Sequence, residues 1–204
     1  MFQTDNQALT MPKRLLKRLL PSLIVLLLMQ PVSAQESESE DALVTAPDGW
    51  RSELIPFPLS FAPEIDFTGV EDIRFAPGWA DSTQSDFWTY AFVWYIDEGP
   101  QMSAQLLTET MESYFGGLML AVAGEEGKAD ITAPPLALFV ETNAGFTGRV
   151  RVYDAFFTKE LITLNIQVRE AVCADTGKQL ISFWVSKQSF VHPVWDGFFE
   201  ISPL

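Results

Sequence analysis

Apolar and polar positions alternate along much of this chain, and the period changes once. From Phe87 to Asp97, Trp88, Tyr90, Phe92, Trp94 and Ile96 fall on one side and Phe87, Thr89, Ala91, Val93, Tyr95 and Asp97 on the other. Successive side chains of a strand point to opposite faces of a sheet. The first set is wholly large and apolar and needs a packed layer over it. The second mixes small and large residues, as suits a strand inside a sheet. Aromatic and β-branched enrichment favours strand over helix, so the run is predicted to be a central strand.

After Asp97-Glu98-Gly99-Pro100 the period lengthens. Leu106, Leu107, Met111, Tyr114, Phe115, Leu118 and Val122 recur every three to four residues, with Ser103 placed to cap the start. That spacing predicts one amphipathic helix, whose stripe offers cover for the aromatic face of the central strand. Gly116-Gly117 either ends this helix near Phe115 or lets it approach the sheet closely, and the second reading is preferred. Gly124 to Asp130 reads as a solvated loop.

Period two holds elsewhere. Trp50 to Phe61 alternates loosely around Pro56 and Pro58, which lack a ladder donor, so it reads as an edge strand or an extended segment. Val70 to Phe75 is a short strand, separated from the central run by the Ala76-Pro77-Gly78 turn and the polar loop Asp81 to Asp86. Leu136 to Thr142, Arg149 to Phe157, Leu161 to Val172 and Gln179 to Ser186 are further strands. In Leu161 to Val172, Ile162, Leu164, Ile166 and Val168 alternate with Thr163, Asn165, Gln167 and Arg169, which predicts one packed and one polar face. Pro193 to Ile201 is expected to form a short helical turn returning Trp195, Phe198 and Phe199 to the core. One long helix among about seven strands predicts an α+β fold: a single domain, mostly antiparallel sheet, with one main amphipathic helix packed on one face.

The N-terminus adds a location. Lys13, Arg14, Lys17 and Arg18 precede the apolar run Leu19 to Met29, and Val32-Ser33-Ala34 supplies the small residues of a cleavage site. This order predicts a secretory signal peptide over 1–34, too short for a membrane span. A flexible acidic tail over 35–48 and one α+β domain over 49–204 are expected to follow. The exported protein would be periplasmic or secreted, with no stable membrane insertion after signal cleavage.

Charge narrows the partners. The chain has 13 Lys and Arg against 27 Asp and Glu, a net charge of −14. Residues 1–34 hold four of the basic residues and one acid, so cleavage leaves a still larger negative excess. Such a surface repels nucleic acid, and none is expected as a partner. The lone cysteine, Cys173, excludes an intramolecular disulfide, and one histidine and one cysteine leave little for zinc or Cys–His chemistry.

Candidate chemistry is sparse. No nucleophile elbow, phosphate loop, dinucleotide fingerprint or HExxH is present, and no cofactor or metal site is expected. Arg149 and Arg151 share one face of their strand beside Asn165, a place where arginine forks can hold an anion or carboxylate; pairing with surface acids is the plainer use of the same residues. Trp79, just past the Ala76-Pro77-Gly78 turn, completes the set of candidate ligand contacts. The acids Glu64, Asp66, Glu71 and Asp72 are the material for a hydrolytic carboxylate pair. The leading expectation is a non-catalytic binding or interaction module of the cell envelope, taking a small ligand or an envelope protein. The alternative is a hydrolase of cell-envelope or extracellular sugars or esters.

Overall fold

Seven of the predicted alternating segments join in one antiparallel sheet. The computed structural model describes residues 43–203. The signal peptide expected over 1–34 lies outside the described residues, as does most of the tail expected over 35–48. The strands are β1 (Val44–Thr45), β2 (Arg51–Pro56), β3 (Gly69–Phe75), β4 (Tyr90–Ile96), β5 (Leu136–Thr142), β6 (Gly145–Tyr153), β7 (Leu161–Val172), β8 (Gln179–Ser186) and β9 (Ser202–Pro203). The main sheet has the order β2-β3-β4-β8-β7-β6-β5, and every neighbouring pair is antiparallel. One long helix, α1 (Ala104–Gly127), packs on one face. The result is a single-domain α+β fold, as the change of period predicts.

The aromatic stripe is the spine of the core. Phe92, Trp94 and Ile96 are fully buried, and Phe92 stacks on Phe183 of β8 at 4.4 Å and on Tyr114 of α1 at 5.5 Å. Full burial of such side chains stabilises by roughly 1.5–3 kcal/mol each. The strand starts later than the pattern predicts. Phe87 and Trp88 sit in the turn before β4, and Trp88 has φ +56°, a left-handed conformation that bulky residues rarely adopt. Its backbone N–H bonds to the Trp79 carbonyl at 3.1 Å and its indole N–H to Asp154 at 3.0 Å, which offsets that strain.

Helix α1 begins where Ser103 accepts a hydrogen bond from the Leu106 N–H at 3.1 Å, and it buries Leu107, Met111, Tyr114, Phe115 and Met119. It passes through Gly116-Gly117, because a Cβ at Gly117 would meet the Phe61 carbonyl oxygen at 1.7 Å. The glycine serves close packing against the 57–65 segment rather than against the sheet. The stretch expected as a loop from Gly124 is a broken continuation: Gly124 takes φ +63°, and the helix resumes to Gly127.

The sheet face opposite α1 is half covered. Val44 of β1 with Trp195, Phe198 and Ile201 packs on Ala91, Val93 and Leu180. The Leu43 N–H donates to Asp72 at 2.8 Å, and Asp72 also pairs with Arg74. These contacts hold 43–45, placed by the sequence reading at the end of the tail, against β3. The β5–β6–β7 part of that face is open to solvent, with Leu136, Leu138 and Val140 exposed.

Candidate functional site

A large cavity among the described residues lies on the α1 side, at the β2 edge of the sheet. It has a volume of about 720 Å³. All six residues of β2 form one wall; Phe75, Trp79, Trp88, Tyr90 and Phe156 form an aromatic wall, and Tyr114, Leu118 and Val122 of α1 form the roof. Leu118 and Val122 are the far end of the predicted helix stripe; here they line a cavity instead of closing a core.

Register explains how these groups meet. Arg51, Glu53 and Ile55 pair with Phe75, Ile73 and Glu71 of β3, which in turn pair with Tyr90, Phe92 and Trp94 of β4. All of these positions share the helix-facing side. An edge strand therefore presents two charges, Arg51 and Glu53, on the face that further in is apolar. The Arg51 guanidinium lies 5.9 Å from the Phe75 ring and 5.8 Å from the Trp79 ring, within reach of a cation–π attraction. Phe75 and Trp79 are themselves 4.5 Å apart.

Two polar atoms of this aromatic wall have no protein partner: the Tyr90 hydroxyl and the Trp79 indole N–H, both buried. Tyr90 as a whole is 4 % exposed. Beside them Glu71 is fully buried, accepting from the Trp94 indole at 2.7 Å and from the Tyr114 hydroxyl at 2.8 Å. Burial pushes its carboxyl up from 4.5 to about 7; the two hydrogen bonds oppose that rise and the Glu53 charge adds to it. Burial first, then the Glu71 charge, hold the hydroxyl protons of Tyr90 and Tyr114 on well above the usual tyrosine range. At neutral pH these phenols are hydrogen-bonding groups, not bases.

The loop between β6 and β7 is built around one acid. Asp154 accepts from the backbone N–H of Phe156 and Phe157 at 3.0 Å and of Thr158 at 2.9 Å, from the Thr158 hydroxyl at 2.8 Å and from Trp88. Burial pushes its carboxyl up, but these donors outweigh burial and hold it below the ordinary value. Asp154 thereby ties Trp88 and Phe156 into the cavity wall.

The sequence-predicted ligand residues separate into two places. Trp79 lines the cavity. Arg149, Arg151 and Asn165 lie on the other face of the sheet, three strands and more away. Arg149 donates to the Asn165 side-chain oxygen at 3.0 Å, and the Asn165 amide donates to the Gln188 carbonyl at 3.0 Å. Asn165 is thus occupied in tying down the 188 segment. Arg149 and Arg151 are exposed, and among the described residues no carboxylate pairs with either. Of the candidate acids, Glu64 and Asp66 are exposed, whereas Glu71 and Asp72 are buried on opposite faces of β3. His192 caps the C-terminal 3-10 turn, accepting from the Val194 N–H at 3.1 Å. Among the described residues no group of three His, Cys, Asp or Glu stands ready for a metal ion, and no helix is long and apolar enough to cross a membrane.

Tyr90, Tyr114, Arg51 and Glu53 escape the sequence reading as site residues. Tyr90 and Tyr114 are indistinguishable there from core aromatics. Arg51 and Glu53 carry a signal: charges at the parity of Ile55 on a strand whose prolines mark it as an edge. No family model, no characterised protein and no solved structure matches this chain at a significant level.

Proposed function

We propose that this chain is an exported, non-catalytic binding module of the cell envelope whose ligand occupies the cavity between β2, the Trp79–Tyr90 wall and α1. The observation that carries the reading is the Tyr90 hydroxyl, buried at that wall without a protein partner. Leaving such a group unsatisfied costs about 1–3 kcal/mol, and native proteins keep few of them. A ligand acceptor beside Tyr90 and Trp79 recovers that energy, so the ligand has a flat or apolar body with at least one hydrogen-bond acceptor. Because both atoms are buried, contact requires the half-buried pair Phe75 and Trp79 to shift aside. The basic N-terminal flank and apolar run are the support for export.

Binding fits the acids better than hydrolysis does. Both oxygens of Glu71 are held by Trp94 and Tyr114, and Asp72 is turned to the other face with Arg74. A thermal-unfolding screen of sugars, peptides, small anions and calcium tests the reading, since a ligand of the native state alone raises the apparent stability. At least one class is expected to raise Tm in the wild type and to do so less in Trp79→Phe. A screen in which no class shifts Tm overturns it.

A further inference from the structure

The two edges of the sheet are treated differently. Edge strands expose unpaired N–H and C=O groups that invite another strand. At β5 two of the outward N–H groups are capped by α1: Ala137 donates to the Glu112 carboxylate at 2.9 Å and Phe139 to the Thr108 hydroxyl at 3.3 Å. At β2 none of the described residues caps them. Phe57 donates to the Gly69 carbonyl at 3.0 Å, so the odd residues of this segment bond to β3. In an antiparallel ladder the alternate residues turn both backbone groups the other way. Ser52, Leu54 and Pro56 therefore face outward, and Pro56 sits where its missing N–H removes no ladder bond. Ser52, Leu54 and Pro56 are also exposed.

This uncapped edge is one wall of the cavity. Arg51 and Glu53, two residues apart on the cavity side, have no ion-pair partner among the described residues. We propose that the ligand is an extended polypeptide segment that adds to β2 as an eighth strand, bonding through Ser52 and Leu54, with one large side chain in the cavity whose body is apolar and whose tip accepts a hydrogen bond. Main-chain bonds give such a mode its affinity and pockets for alternate side chains its selectivity. An acidic side chain of the segment pairs with Arg51 and a basic one with Glu53, across the short distance between facing residues of adjacent strands. The inference rests on the cavity being a ligand site and adds the class of ligand.

The test selects a displayed library of random linear heptapeptides on the signal-free protein, then titrates the best synthetic binder while recording backbone and indole amide spectra. Expected are alternating apolar sequences, shifts of the Ser52 and Leu54 N–H and of the Trp79 indole, and at least tenfold weaker binding to Leu54→Pro. That substitution removes an outward donor and no ladder bond, as Pro56 already does, so the variant is expected to keep its Tm. Because it also trims a side chain of the cavity wall, Leu54→Ala, which keeps the N–H, serves beside it and is expected to bind within a few-fold of the wild type. Binders that move Trp79 but leave Ser52 and Leu54 unmoved, with full affinity for Leu54→Pro, overturn the strand addition and leave the cavity reading standing. No enrichment, or binders that move neither site, overturns the strand addition; if the screen of small molecules is also silent, the cavity reading falls with it. Elution at twice the monomer mass, with the Ser52 and Leu54 amides already protected before peptide is added, overturns it in favour of pairing with a second copy.

Discussion

Glu71 is the residue whose chemistry the fold alters most. Its carboxyl titrates near 7 in the native state and at an ordinary 4.5 when unfolded. The native state therefore holds the proton more tightly, and this group favours folding below pH 4.5. That contribution, about 3 kcal/mol, is lost as the pH rises through 7. Glu71→Gln keeps an acceptor for Trp94 and offers its amide to Tyr114, with no proton to lose. In urea titrations from pH 4 to 8 the wild type is expected to lose stability relative to Glu71→Gln over that window; parallel curves would contradict it. The sequence places Glu71 beside Asp72 as equivalent acids. Alternation separates them: one enters the aromatic core, the other meets Arg74 and Leu43. That outcome was legible from parity once β3 was known to be a strand. The Tyr114 hydroxyl that holds Glu71 was not, since contact between α1 and β3 spans 43 residues of chain.

At the scale of elements, the existence of the strands and the helix start at Ser103 follow from period and caps, although β6 runs over Gly145–Tyr153 and not over Arg149 to Phe157. What the pattern misses is non-local. Trp88 leaves the strand because Asp154, 66 residues on, holds its indole. The covered edge at β5 is likewise invisible in Leu136 to Thr142, because the groups that cap it belong to α1. This cap predicts a phenotype. Thr108→Val combined with Glu112→Ala strips the acceptors from the Ala137 and Phe139 N–H groups. The double variant is expected to lose about 2 kcal/mol in urea unfolding and to self-associate in sedimentation velocity. A monomer of unchanged stability would show that β5 needs no cover.

At the scale of the molecule, one face of the sheet builds the core and ends in a cavity at the β2 edge, while the other carries a second apolar layer and an open arginine-bearing surface. The α+β architecture is readable from one change of period. The cavity is not, because its wall comes from five separate stretches, 51–56, 60–61, 73–90, 114–122 and Phe156. Sequence reading reaches only Trp79 among its residues, and places Arg149, Arg151 and Asn165 on a surface that the fold sets on the opposite side. The fold keeps the Tyr90 hydroxyl buried without a partner, at a cost in stability that the proposed ligand would recover. Unfolding free energies of the wild type and Tyr90→Phe, each alone and with a saturating selected peptide, test it most directly. Alone, Tyr90→Phe is expected to be the more stable by about 1–3 kcal/mol; with peptide it is expected to gain less than the wild type. A Tyr90→Phe protein that is less stable alone, or that gains as much from the peptide, would contradict the account.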